Sequence, residues 1–184
     1  MKRKQLSLLS TVIMLGCSTL AWAGQASTSA SAGSRGWGPG TAAATATYDG
    51  SGPAYTRTRA RSGQLNLAQG VALGFDRDGL SLSSSYAVAP RRGAAVAGTF
   101  NVSIGLDGQV ATSVGRTVAS GDRRRTVSAS GGSGSARRRT PAWATTSGHT
   151  GTRGVVRSFT KSNDRRATPR RPHRCPGRRW SRGR

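Results

Sequence analysis

Bulky apolar residues alternate with small ones along much of residues 65–118, and this two-residue period constrains the fold more than any other feature. In the segment LNLAQGVALGF, residues 65–75, the bulky residues Leu65, Leu67, Val71, Leu73 and Phe75 occupy odd positions, and mostly small residues fill the even ones. Successive side chains of a β-strand point to opposite faces of its sheet. The alternation therefore predicts strands with one buried face, and we expect the bulky face to be the buried one.

Two short turn sequences divide this pattern into a pair of hairpins. DRDG ends at Gly79 and GLDG ends at Gly108, and apolar alternation flanks both turns in the same way. Tight hairpin turns need a positive φ angle, which glycine adopts freely. The sequence thus predicts a mostly β fold, a small antiparallel sheet of two β-hairpins within residues 45–120, linked through Pro90 and the segment RRGAA.

A shorter alternating segment, YTRTRARS, precedes the hairpins. It places Tyr55, Arg57, Arg59 and Arg61 on one face of a strand. Charged side chains are typical of edge strands, where they discourage pairing with other chains. The pattern favours a solvated edge strand, and the alternative is an arginine ladder that binds polyanions.

The segments on either side of residues 45–120 have a different composition. Residues 24–44 are low in complexity and predict a disordered leader, while residues 121–184 predict a disordered, arginine-rich tail. Of the formal net charge of +23, most lies in residues 123–184, which contain 18 basic residues and one acidic residue. Two interpretations of this tail remain open: a genuine basic arm, or a frameshifted and unselected reading of a GC-rich gene.

The amino terminus has the three parts of a secretory signal peptide, assigned to residues 1–23. Basic residues come first, an apolar run follows, and the small residues Ala21 and Ala23 predict cleavage before Gly24. The alternative is a lipoprotein acylated at Cys17. Either outcome predicts export to the periplasm, the cell envelope or the extracellular space.

No arrangement of residues predicts catalysis, a cofactor or a metal. Asp76 and Asp78 precede Gly79 in a hairpin turn and lack the further acidic ligand that a calcium loop uses. Both histidines, His149 and His173, lie in the patternless tail, away from any activated serine. Asn101-Val-Ser103 matches a glycosylation acceptor, but its place within a strand argues against its use. We expect a protein that is not an enzyme, with no small-molecule substrate.

Two functions fit this sequence. The first is a structural or envelope-associated protein whose one-sided sheet is covered by another copy or by an envelope surface. The second is a polyanion-binding protein that acts through its tail, since arginines release counterions from phosphates and tryptophan stacks on bases. Such a tail predicts non-specific binding of nucleic acid, anionic polymers or anionic lipid. The candidate residues are Arg137, Arg138, Arg139, Arg165, Arg166, Arg170, Arg171, Arg178, Arg179 and Trp180.

Overall fold

A computed structural model of the chain describes residues 24–35, 40–134 and 141–165. These residues form ten β-strands and no helix, and none of them belongs to a helix able to cross a membrane. The strands are β1 (Gln25–Ser34), β2 (Thr41–Asp49), β3 (Ala54–Arg61), β4 (Leu65–Asp76), β5 (Gly79–Pro90), β6 (Ala95–Gly105), β7 (Val110–Ser120), β8 (Arg125–Gly134), β9 (Ala142–Thr150) and β10 (Val155–Arg165).

The ten strands form two antiparallel sheets that pack face to face. The first sheet has four strands in the order β2-β1-β8-β9, and the second has six in the order β10-β7-β6-β5-β4-β3. All eight strand pairs are antiparallel. The prediction of a mostly β, antiparallel fold is confirmed, but the small sheet of two hairpins is wrong in scale.

Both predicted hairpins are present within the six-stranded sheet. β4 and β5 turn at Asp76–Gly79, where the Asp76 carboxylate accepts a hydrogen bond of 2.8 Å from the Asp78 amide. β6 and β7 turn at Gly105–Gln109, and the Asp107 carboxylate accepts from the Gln109 amide in the same way. Gly79 and Gly108 have φ angles of +147° and +81°. The glycine of each turn therefore has the positive φ angle that the sequence predicted, and the hydrogen bonds of the aspartate carboxylates are an addition from the structure.

The space between the sheets is filled by alanine, serine, threonine, glycine and asparagine. In β4 the buried positions are the even ones, such as Ala68 and Ala72, whereas Leu65, Leu73 and Phe75 are exposed. The expectation that the bulky face is buried is therefore wrong. Alternation along a strand shows that its two faces differ, but it does not show which face another sheet will cover.

Close approach of the two sheets explains why the small face is inside. A Cβ atom placed on Gly70 of β4 would lie 2.6 Å from the carbonyl oxygen of Thr45 in β2, closer than real Cβ contacts allow. Side chains of leucine size do not fit a gap in which backbone atoms of facing strands nearly touch. The narrow interior thus selects the small residues, and the bulky ones point outward.

Polar side chains within this interior bond to one another across the sheets. Ser83 Oγ lies 2.8 Å from Thr28 Oγ1 and donates to the amide oxygen of Asn101 at 2.6 Å. The Asn101 amide nitrogen donates to Ser113 Oγ at 3.0 Å and to the carbonyl of Trp143 at 2.8 Å. Buried polar groups are stabilising only when they are paired. This network ties β5, β6 and β7 of one sheet to β1 and β9 of the other.

Strands of both sheets come from the two segments expected to be disordered. β1 and the start of β2 lie within residues 24–44, and β8, β9 and β10 lie within residues 121–184. The predicted leader and tail thus contribute strands on both sides of residues 45–120, and this corrects the fold expected from the sequence. Serine, alanine and glycine have weak strand propensity, so these segments show no strand pattern without the partner sheet that covers them.

Candidate functional site

An apolar surface covers the outer side of the six-stranded sheet. Register places Leu73, Leu82 and Val102 side by side, and likewise Phe75, Leu80 and Ile104. Phe75 and Phe100 remain 48% and 45% exposed. We call this surface the apolar face; it consists of Leu65, Leu67, Val71, Leu73 and Phe75 of β4, Leu80, Leu82, Tyr86 and Val88 of β5, Val96, Phe100, Val102 and Ile104 of β6, and Val110, Val114 and Val118 of β7.

The apolar face has the size of the largest apolar patches on soluble proteins. Four strands of about ten residues cover roughly 20 Å by 30 Å, or about 600 Å². The largest exposed apolar patch of a typical soluble protein is about 300–600 Å², and patches of that size commonly mark interaction sites. The face is therefore a candidate surface for binding a partner.

Cationic side chains border the apolar face on both edges. Arg57, Arg59 and Arg61 of β3 pair in register with Val71, Gln69 and Leu67 and so lie on the same side of the sheet. At the opposite edge, Arg157 and Lys161 of β10 pair with Val118 and Val114.

Two more side chains complete this border. Arg116 of β7 and Phe159 of β10, which is 57% exposed, lie between the β10 cations. The described strand positions on this side of the sheet include no aspartate.

The structure bears on both interpretations of the arginine segment 57–61. β3 is the edge strand of the six-stranded sheet, and all of its residues are exposed, as the edge-strand interpretation expects. Its three arginines also share one face with their apolar neighbours. The ladder is thus a geometric fact, and its binding role stays a prediction.

Acidic residues are concentrated at one end of the sandwich. Strand ends and turns at that end carry Asp49, Asp76, Asp78, Asp107 and Asp164, which are five of the six aspartates, together with Arg77 and Arg165. The opposite end, which we call the arginine end, carries Asp122 and a set of arginines in or beside the connections. That set is Arg35, Arg61, Arg91, Arg92, Arg123, Arg124, Arg125 and Arg153.

A cleft of about 750 Å³ opens at the arginine end. Four arginines line it, Arg91 and Arg92 from the β5–β6 connection and Arg123 and Arg125 from the β7–β8 region, together with Gln64, Pro90 and Gly93. A neighbouring cleft of about 550 Å³ shares Gly93, Arg123 and Arg125 but includes Asp122. The larger cleft has no acidic lining residue, so it is the better candidate for an anion.

Arg125 is the buried member of this cluster, with 5% of its surface exposed. Its guanidinium donates to the carbonyls of Pro90 and Arg91, each at 3.2 Å, and to the carbonyl of Gly93. Its Nε atom is buried without a hydrogen-bond partner. Among the described residues, only carbonyl and hydroxyl oxygens accept from Arg125, so no carboxylate neutralises this buried charge.

Few of the tail residues predicted to bind polyanions lie within the described part of the chain. Arg165 ends β10 opposite Val110. The other candidates, Arg137, Arg138, Arg139, Arg166, Arg170, Arg171, Arg178, Arg179 and Trp180, lie outside the described residues. The predicted signal peptide also lies outside them, including Ala21, Ala23 and the alternative lipidation site Cys17, whereas Gly24 is described.

The glycosylation sequence at Asn101 is closed off by the fold. Asn101 is fully buried, and its side chain is held by Ser83, Ser113 and the Trp143 carbonyl. Its amide nitrogen is therefore out of reach of a modifying enzyme in the folded protein. This agrees with the sequence argument against its use.

Sequence reasoning missed the arginine end because it treated Arg123, Arg124 and Arg125 as the start of a disordered tail. Their position directly before a strand was the available signal, and the strand was not recognised. Arg91 and Arg92 were interpreted only as part of a link between hairpins.

No protein-family model matches the chain, and neither a curated protein nor a solved structure matches it.

Proposed function

We propose that this protein is an exported, non-enzymatic, envelope-associated protein that docks on an anionic lipid surface through its apolar face. The observation that carries the proposal is the pairing of an exposed apolar sheet with arginine and lysine on both of its edges. Proteins that lie on membranes combine apolar side chains at the acyl boundary with cations at the level of the headgroups. Each such cation contributes about 1 kcal/mol near an anionic leaflet.

Charge also favours a lipid surface over a second copy of the chain. If two apolar faces packed together with aligned strands, the arginines of β3 would meet either the same arginines or the cations of β10. Like charges brought together across an interface are repulsive. An anionic surface instead neutralises both edges at once, while the central strands contact apolar lipid.

Vesicle co-sedimentation of the full chain tests this proposal. We expect binding to vesicles that contain phosphatidylglycerol and little binding to pure phosphatidylcholine. A triple variant, Phe75→Ser, Phe100→Ser and Ile104→Ser, keeps every charge, including those of the tail, and should bind at least tenfold more weakly. The matched control is Trp143→Ser, which removes an exposed aromatic residue of β9 in the other sheet.

Three outcomes are informative. Equal binding by the triple variant and the control would overturn the proposal and assign lipid binding to the cationic residues alone. A chain that ends at Arg165 keeps all ten strands, so retained binding by that shorter chain supports the face. If sedimentation equilibrium shows a dimer that the triple variant abolishes, the face binds a second copy instead.

A second candidate function is phosphate binding in the cleft at the arginine end. Arg125 carries a buried charge without a carboxylate partner, which is costly unless an anion compensates it. Arg91, Arg92 and Arg123 line the same cleft, and arginine is well suited to bidentate recognition of phosphate. A cleft of this volume accommodates a multiply charged phosphate compound.

Thermal unfolding with inorganic triphosphate tests this candidate and removes the contribution of the tail. A ligand that binds only the folded state raises the melting temperature, whereas a tail that is disordered, as the sequence predicts, binds equally before and after unfolding. We expect stabilisation of the native chain and its loss in Arg91→Gln/Arg92→Gln. The control Arg57→Gln/Arg59→Gln removes two charges from β3 and should keep the effect. If triphosphate raised the melting temperatures of both variants equally, the cleft would not be its binding site.

A further inference from the structure

The start of β1 occupies an unusual site. Gly24 is buried, has a φ angle of +75°, and its carbonyl accepts a hydrogen bond of 3.0 Å from Ser81 Oγ. A Cβ atom on Gly24 would lie 2.5 Å from Asp76 Oδ2 and 2.9 Å from the hydroxyl oxygen of Tyr48. The backbone at residue 24 therefore enters a small pocket that these two polar side chains border.

Both polar atoms of this pocket lack a partner. Asp76 is 5% exposed, and its Oδ1 atom bonds the Asp78 amide, but Oδ2 is buried without a hydrogen bond. The Tyr48 hydroxyl is buried and unpaired as well. Burial raises the pKa of Tyr48, and the nearby carboxylates of Asp76 and Asp49 raise it further. An unpaired buried carboxylate oxygen is rare in native proteins and calls for a cation or a donor.

We infer that the pocket formed by Asp76 and Tyr48 binds the α-ammonium group of Gly24, which is created when the signal peptide is removed before that residue. The inference rests on the predicted export signal and not on lipid docking. In the cleavage, a signal peptidase adds water across the peptide bond between residues 23 and 24. Ala23 leaves with a carboxylate, and the new Gly24 amine takes up a proton.

Two independent lines lead to the same residue. The small residues Ala21 and Ala23 predict the cut before Gly24 from the sequence alone. The structure places the unpaired Asp76 Oδ2 atom beside Gly24, 2.5 Å from the position that a Cβ atom on this residue would take. Glycine also suits this position physically, because its positive φ and the missing Cβ allow the backbone to approach Asp76. Removal of the signal thus completes the fold with a buried ion pair.

The test compares two chains that differ by one residue: a chain that begins at Gly24 and the same chain extended by Ala23. The extended chain carries its charge one residue away and has a neutral amide at Gly24. We expect the Gly24 chain to melt about 5–10 °C higher, the effect of a buried pair in a domain of this size. Asp76→Asn should lower the melting temperature of the Gly24 chain strongly and that of the extended chain much less.

Dependence on pH gives a second readout that a purely steric effect would not produce. An ammonium group bound to a carboxylate has a raised pKa, so its stabilisation is complete below the ordinary α-amino value of about 8. The stabilisation is lost as the pH rises through the raised value. The difference in melting temperature between the Gly24 chain and the extended chain should therefore decrease at alkaline pH.

Two results would overturn the inference. One is equal melting temperatures of the Gly24 and extended chains with equal effects of Asp76→Asn in both. The other is a mature exported protein whose amino-terminal sequence does not begin at Gly24. Because neither experiment involves vesicles, failure here is distinguishable from failure of the docking proposal.

Discussion

The two sheets have inner faces of similar composition, but their outer faces differ in chemistry. Inside, both contribute small residues, such as Ala30 and Ala129 from one sheet and Ala68 and Ala97 from the other. Outside, the four-stranded sheet carries pairs of hydroxyl groups, including Ser29 with Thr45 at 2.7 Å. The six-stranded sheet carries the apolar face. Because the interiors are alike, the proposed docking function rests on the outer surface of the six-stranded sheet, and the hydroxyl surface of the other sheet serves as an internal reference for it.

The largest expected effect on stability is a difference between two adjacent positions of β4, one facing the interior and one facing outward. Gly70→Val places a branched side chain where even a Cβ atom would meet the Thr45 carbonyl at 2.6 Å. We expect the free energy of unfolding to fall by more than about 3 kcal/mol, because the sheets must separate. Val71→Ser on the outer face should cost less than about 1 kcal/mol. Urea unfolding measures both, and similar losses would contradict the assignment of the inner face.

The next effect tests whether the polar interior is part of the fold. Asn101→Ala removes the hydrogen bonds to Ser83, Ser113 and the Trp143 carbonyl and leaves those groups unpaired. We expect a loss of about 2–3 kcal/mol in urea unfolding. The comparison variant Asn163→Ala changes an exposed asparagine of β10 and should alter stability by less than about 0.5 kcal/mol.

A smaller effect on stability should accompany a large effect on binding at the apolar face. Phe100→Ser alone changes an outward side chain that is 45% exposed, so we expect a loss of no more than about 1 kcal/mol in unfolding. Its retention on anionic vesicles should nevertheless decrease measurably. A parallel loss of stability and retention would mean that the side chain acts through the fold.

The smallest effect concerns the hydroxyl surface. Ser29→Ala with Thr45→Ala removes an exposed hydroxyl pair. Exposed hydrogen bonds exchange readily with water, so we expect a change in unfolding free energy within about 0.5 kcal/mol and unchanged vesicle retention. Loss of vesicle retention in this variant would show that the two outer surfaces do not differ in the way proposed.

The sequence predicted the local features of the fold well. Asp-Gly turns at Gly79 and Gly108 and the alternation around them depend on neighbouring residues, so both hairpins could be located. The edge position of β3 followed from its arginines for the same reason. The face that is buried could not be predicted, because the choice depends on the gap between sheets and not on the strand itself.

Non-local pairing explains the other differences. β1 lies between β2 and β8, and Ala30 is opposite Ala129, with most of the described chain between them. Nothing in a run of serine, alanine and glycine indicates such a partner. The cleft at the arginine end was missed for a related reason, since Arg91 and Arg92 meet Arg123 and Arg125 only when the β5–β6 and β7–β8 connections come together at one end of the sandwich.

The pairing of β1 with β8 also has a consequence for how the chain reaches its final state. Synthesis from the amino terminus delivers β1 first, but β1 must wait for β8 before the four-stranded sheet can close. Contacts between such distant segments make folding slow, whereas the β4–β5 and β6–β7 hairpins can form early from local contacts. During that interval the open side of the hairpins presents alanine and serine, a composition with little tendency to aggregate.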